Sequence, residues 1–253
     1  MDFDKILAIA EDAEELSGKM PEFLREVLES EAAGKVRAVS PKIAVAKDEA
    51  FCFFYRDNLE LLETLGAKME YFSPLSDAEL PKNTDGLLLY GGYPELHAKE
   101  LSENDTMIRE IREKINHGMP VLAECGGYMY LSEAMEDMEG TAYPMVQAVP
   151  GKVYRTKKLG RFGYITLTPN TENTFQNGGN PVRGHEFHYF DSTDCGNAWH
   201  AVKPLRKRNW DCIHASKRMM VGFPHLYYMA SPHLALEFLE QCAAYQKEQE
   251  KTK

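Results

Sequence analysis

Four short stretches between Lys42 and Gly127 have strand length and are separated by segments of helical character. They are KIAVAK (42–47), KMEYFSP (68–74), GLLLYGG (86–92) and PVLAECGG (120–127). NLELLETLG (58–66) reads as a helix that Gly66 can end, and ENDTMIREIREKINH (103–117) as an amphipathic helix. Apolar strands alternating with helices leave few solutions. The expected fold is α/β, with a mostly parallel central sheet and helices on both faces.

The flanks read differently. Residues 1–40 look helical and are expected to form a connector outside the central sheet, with the main domain spanning 41–246. After about Gly140 the chain becomes β-rich: MVQAVPGKVY, FGYITLTP and GHEFHYF are strand-like, and TENTFQNGGNP reads as a polar surface loop. MMVGFPHLYYM (219–229) reads as one final strand, followed by a helix from Pro232 to about Gln246 and a disordered tail over 247–253.

Charge and cysteine usage narrow the function. A formal net charge of −10 opposes general affinity for nucleic acid or an anionic membrane. No apolar run approaches the ~20 residues needed to span a bilayer. The acidic start MDFDKILAIAEDAEEL lacks the basic opening and cleavage site of a secretory signal. The five cysteines (52, 125, 195, 212 and 242) contain no Cys-x-x-Cys pair and suit neither a disulfide framework nor a zinc site. A cytoplasmic location and no metal in this chain are the expectations.

Cys125 has the most informative context. An apolar strand delivers it to a turn, Gly126 and Gly127 follow, and Tyr128-Met129-Tyr130-Leu131 begins a helix. A nucleophile held at a tight strand-to-helix turn stands clear of the backbone, and glycines avoid steric conflict there. The helix N-terminus is expected to favour thiolate and to aim backbone N–H groups at a developing oxyanion. A second glycine turn, Tyr90-Gly91-Gly92-Tyr93, ends the preceding strand and can contribute further N–H groups. A cysteine nucleophile needs a base, most often histidine. Pattern alone leaves His185, His188, His225 and His233 open, and assigns His97, His117, His200 and His214 to the surface.

AVAKDEAFCFFYRDNLELLETLGA, FSPLSD, LPKNTDGLLLYGGYPEL, LAECGGYMYL and RGHEFHYF together resemble, in order, the C-terminal glutamine amidotransferase domain of cobyrinic acid a,c-diamide synthase. The likeness runs from about Lys42 to Cys242, and MDFDKILAIAEDA resembles the connector preceding that domain. The resemblance implies a three-layer fold of class I glutamine amidotransferase type. It implies Cys125 as nucleophile, His225 as catalytic histidine, and Gly92 with Gly126 as oxyanion and glutamine-binding residues. Arg183, His185, Glu186 and His188 match the Arg-Gly-His-Glu-Phe-His signature, read as a structural hydrogen-bond and salt-bridge cluster. Glutamine is the implied substrate of this chain. ATP and magnesium, together with a corrinoid or related tetrapyrrole, are implied for a partner synthetase domain or subunit, because no Gly-x4-Gly-Lys-Ser/Thr phosphate loop occurs here.

Two departures from the family pattern stand out. Tyr227 occupies the place of a second histidine, where many related amidotransferases carry glutamate, so the third member of the triad is open and a Cys-His dyad is expected. Tyr90 stands where the family often has another glycine. Two rival functions use the same residues: a cysteine hydrolase on the same fold, and a non-catalytic binding module.

Overall fold

The computed structural model describes residues 2–14, 18–170 and 175–252. At its centre lies a six-stranded sheet in the spatial order 214–215, 219–222, 121–124, 86–89, 42–46, 68–72. The strands Lys42–Ala46, Lys68–Phe72, Gly86–Leu89, Val121–Glu124 and Met219–Gly222 are mutually parallel, and His214–Ala215 adds an antiparallel edge.

Strand alternation sorts side chains onto two covered faces. Ile43, Val45, Leu88, Leu122 and Met220 join a core built with Leu59 and Leu62 of the helix Arg56–Thr64 and Leu234 to Leu239 of the last helix. Ala44, Ala46, Leu87, Leu89, Val121, Ala123 and Val221 face the opposite core, with Met107, Ile108 and Ile111 of the helix Asp105–Asn116. Helices therefore cover both faces, as the apolar runs require.

The β-rich part forms two further sheets. One is mixed, ordered 190–192, 152–155, 134–136, 142–144; the other is antiparallel, ordered 209–212, 199–202, 162–169, 182–187, 225–226. The segment read as one final strand is two. Met219–Gly222 ends in the parallel sheet, Phe223-Pro224 crosses over, and His225–Leu226 pairs antiparallel with Gly184 and His185. Proline lacks the N–H that a continuous ladder needs, which favours a break there.

Three other details differ from the sequence reading. In TENTFQNGGNP, residues 171–174 lie outside the described residues, whereas Phe175 and Asn177 are buried. The Glu237 carboxylate accepts the backbone N–H groups of Gln176, Asn177 and Gly178 at 2.8–3.0 Å, which anchors that turn on the last helix. The last helix spans Pro232–Thr252, so residues 247–252 are helical; their charges form a solvated helix face, and Glu248 pairs with Arg218 at 2.6 Å. Before Lys42, the helix Phe3–Glu11 buries nothing, whereas Glu22–Glu29 and Glu31–Val39 seat Leu24, Val27, Ala33 and Val36 in the core beside the last helix. No helix among the described residues is long and apolar enough to cross a membrane.

The last helix packs closely enough to demand glycine at position 86. A Cβ there would overlap the Cys242 sulfur and come within 3.1 Å of Ile43 Cδ1. Overpacking a filled core typically costs ~1–3 kcal/mol. Urea unfolding of Gly86→Ala is expected to show a loss of that order, and Cys242→Ala in the same chain to recover much of it.

Candidate active site

Val121–Glu124 is buried along its whole length, and the next residue leaves the strand abruptly. Cys125 adopts φ 47° and ψ −105°, a region costly for any residue with a side chain. The helix Gly126–Leu131 starts immediately after it. The glycines are set by contact. A Cβ at Gly127 would overlap the Leu89 carbonyl oxygen, and one at Gly126 would meet Pro94 Cδ at 2.9 Å and the Gly92 nitrogen at 3.2 Å. The backbone of Cys125 is tied at both ends: its N–H donates to Gly222 O at 2.8 Å, and its carbonyl accepts Met129 N–H at 2.9 Å. So held, the cysteine lines a cavity of about 320 Å³ that it shares with Gly92, His185, His188 and His225.

His225 reaches that cavity because the chain changes sheets. Gly222 pairs with Glu124 in register, and the Phe223-Pro224 crossover sets the imidazole beside the strand that leads to Cys125. Buried Asn58, from the helix Arg56–Thr64, holds the segment: its Nδ2 donates to Leu226 O and its Oδ1 accepts Tyr228 N–H, both at 2.8 Å. Glu124 holds the other side. Its Oε2 accepts Leu226 N–H at 3.3 Å, its Oε1 accepts the Tyr228 hydroxyl at 2.9 Å, and Oε2 stands 3.8 Å from His225 Nδ1. The Phe53 ring meets the imidazole edge-on at 4.8 Å between centroids.

Burial decides the resting charge state. The Cys125 thiol is pushed up to about 12 by desolvation and by the carboxyls of Glu95, Glu186 and Glu124, against a lowering contact from the Gly126 backbone. The thiolate expected from the helix N-terminus is therefore not the resting form, because a six-residue helix cannot outweigh that burial. Desolvation, with His185 and His188 nearby, lowers His225 to about 4. Burial also raises Glu124, to about 8. At neutral pH the site holds a thiol, a neutral imidazole and a protonated carboxyl.

The cavity brings together Cys125, His225 and Gly92, and Gly126 packs beside it against Pro94 and the Gly92 nitrogen. Gly92 is demanded by the chain beneath it, since a Cβ there would overlap the Ala50 carbonyl oxygen. Of the other histidines left open by pattern, His185 and His188 line the same cavity, whereas His233 packs against Gly178. Glu186 is fully buried, accepts Trp210 Nε1–H at 3.3 Å and lies 3.4 Å from His188 Nε2; His188 also stacks on Phe223. Of the four signature residues, Glu186 and His188 form the expected cluster; Arg183 is exposed, His185 meets Phe162 and Tyr164 edge-on, and His185 and His188 also line the cavity. Tyr227 turns to the surface, where its hydroxyl donates to Asp57 at 2.8 Å, and Tyr90 is buried beneath its turn against Phe54 and Tyr228. Among the described residues, no group of three or more His, Cys, Asp or Glu side chains is arranged to hold a metal.

Sequence reasoning missed Glu124, Asn58 and Phe53. A carboxylate inside an otherwise apolar strand was a visible signal for Glu124; Asn58 and Phe53 lie far from His225 in the chain and gave none.

Residues 42–228 match the model of the CobB/CobQ-like glutamine amidotransferase domain. The chain belongs to that family. This amidotransferase domain is 42% identical over 206 residues to a cobyrinate a,c-diamide synthase of Caldanaerobacter subterraneus, covering 81% of this chain and 46% of the relative. It is 36% identical to that of Picrophilus torridus over 242 residues, 96% of this chain and 50% of the relative. The amidotransferase thus spans about half the length of the curated relatives it matches. A crystal structure of a glutamine amidotransferase shares its fold, with TM-score 0.56 at 16% identity over 79% of this chain and 98% of that one.

The clearance around His225 is testable. A Cβ added at Gly91 would stand 2.6 Å from His225 Cε1 and displace the ring. Misplacing a reacting group by about 1 Å can cost roughly 100-fold in rate. Gly91→Ala is expected to slow modification of Cys125 by a glutamine-mimicking electrophile to that degree while circular dichroism stays unchanged.

Proposed function

We propose that this chain is the glutaminase part of an ATP-dependent amide ligase, hydrolysing glutamine to supply ammonia for a,c-diamide formation on cobyrinic acid. The observation that carries the proposal is the cavity that a strained Cys125 and a buried His225 share with Gly92, beside which Gly126 starts the helix after the cysteine. The site has a nucleophile, a base and two N–H groups, which is what acyl transfer requires.

The reaction runs in two halves. His225 takes the thiol proton as the sulfur attacks the side-chain amide carbon of glutamine. The carbonyl oxygen becomes an oxyanion that the N–H groups of Gly92 and Gly126 stabilise. The imidazolium returns its proton to the amide nitrogen, the C–N bond breaks, and ammonia leaves a glutamyl thioester. Water, deprotonated by His225, attacks the thioester, and the proton passes back to sulfur as glutamate departs. Ion-pair formation happens only when substrate is present, because burial disfavours both charges at rest.

A cavity of about 320 Å³ suits an amino-acid side chain and is far too small for a corrin macrocycle. The acceptor therefore belongs to a ligase half, which the family resemblance also credits with ATP and magnesium. Exposed aromatics near the cavity support a covering partner: Phe53, Tyr93, Phe187 and Tyr189 line it, and Phe162 and Tyr164 meet His185 edge-on beside it. A patch of this kind commonly marks an interaction surface.

The deciding experiment is mass spectrometry after incubation with a glutamine-mimicking diazoketone. One adduct is expected, on Cys125, suppressed by glutamine and absent from Cys125→Ala. Lack of an adduct, both alone and with a ligase half added, would sink the glutaminase reading. The pH profile of labelling provides a second check. Because His225 is lowered to about 4, it stays unprotonated and able to accept a proton above that pH, and loses that ability as pH falls through about 4. The acid limb of the second-order labelling rate is expected there; a limb near 6.5 would mean that burial does not hold the working imidazole down.

A further inference from the structure

We propose that Glu124 is the positioning residue for His225, its Oε2 receiving the Nδ1–H of the imidazole so that Nε2 is the nitrogen exchanging the Cys125 proton. This rests on the glutaminase reading above and adds the third group that the Tyr227 position does not supply.

The case is geometric. Glu124 is the residue before the nucleophile, and it lies in register with Gly222, three residues before the histidine. Alternation along the strand sends its side chain to the face opposite Ala123, under the crossover. There Oε2 lies 3.8 Å from His225 Nδ1, an ion-pair distance that a small closure on substrate binding turns into a hydrogen bond. Tyr227, where related amidotransferases carry a carboxylate, is committed to Asp57 on the surface.

The neighbours of Glu124 also fix which oxygen accepts. Leu226 N–H donates to Oε2, so Oε2 is an acceptor whether the acid is protonated or not. When the acid holds a proton, that proton belongs on Oε1, where the Tyr228 hydroxyl is 2.9 Å away and can accept it. In both states Oε2 faces Nδ1 as an acceptor 3.8 Å away, which favours the tautomer carrying Nδ1–H. The groups facing His225 from other elements are His185 and His188 of the antiparallel sheet, Phe53 and the Cys125 thiol; His185 and His188 disfavour a positive imidazole, and none of these supplies a carboxylate to Nδ1. As the thiol proton moves to Nε2, the Oε2 lone pair facing Nδ1–H offsets part of the new positive charge. A wrong tautomer at this position would place N–H, not a lone pair, toward the thiol.

The test uses the full chain with nitrogen-15-labelled histidine, the His225 signals being assigned by their loss in His225→Gln. At neutral pH, nitrogen shifts are expected to show Nδ1 protonated and Nε2 unprotonated; the opposite tautomer overturns the proposal, and this readout needs neither turnover nor a variant at 124. Glu124→Leu, which removes the acceptor, is expected to lower the limiting rate of diazoketone labelling at least about 100-fold with half-saturation little changed, and Glu124→Gln, which keeps a carbonyl oxygen for Nδ1–H, to restore most of it. An unaltered limiting rate in folded Glu124→Leu also overturns it. Absence of labelling in the unmodified chain, with or without a ligase half, instead counts against the glutaminase reading, and the tautomer still reports on Glu124.

Discussion

The hydrogen bond from Cys125 N–H to the Gly222 carbonyl, 2.8 Å long, closes the parallel ladder between Val121–Glu124 and Met219–Gly222. Much of the site follows from that register. It sets where the first strand must turn and where the second must leave the sheet, and those two points carry Cys125 and His225. A slip of one residue would send Glu124 to the opposite face and bring Ala123 under the crossover. It would also separate the strained turn from the glycine contacts with Leu89 and Pro94 that hold it. The strain at Cys125 persists because contacts on every side over-determine it.

Burial gives the site its precision and keeps it quiet. Each charged form used in thiol chemistry is disfavoured here at rest: the thiolate by desolvation and nearby carboxyls, the imidazolium by desolvation and two other histidines. A glutaminase that ionised its cysteine freely would release ammonia with no acceptor waiting. In a low-dielectric cavity the same groups interact strongly once glutamine supplies a site for the developing charge. The cost of moving the proton falls when substrate and N–H donors are in place, so the chemistry is coupled to occupancy.

The parallel sheet was legible because its inner strands are largely apolar and its helices show clear periodicity, although the edge strand Lys68–Phe72 buries only Phe72. Cys125 was legible too, since strand, cysteine, glycine pair and helix follow one another in a single stretch of chain. The histidine was not, on pattern alone, because the site is completed by a sheet-to-sheet crossover that leaves no periodic trace; family resemblance was needed to single out His225. Asn58 was invisible for the same reason, as its partners at Leu226 and Tyr228 lie 168 and 170 residues away. The charged end of the last helix was misread because composition alone does not separate a solvated helix face from disorder. The thiolate expectation failed because a helix terminus can be counted in sequence and burial cannot.

His225 belongs to two structures at once. Its backbone pairs with His185 in the antiparallel sheet, yet Glu124 of the parallel sheet and Asn58 of a covering helix grip the residues beside it. Gly184 permits the close approach, since a Cβ there would stand 2.8 Å from the His225 carbonyl oxygen. The relation between base and nucleophile is therefore a property of how the two sheets meet, not of either sheet. Cys125 is fixed by the rigid parallel ladder, and His225 follows the antiparallel sheet, whose aromatic residues are exposed beside the cavity.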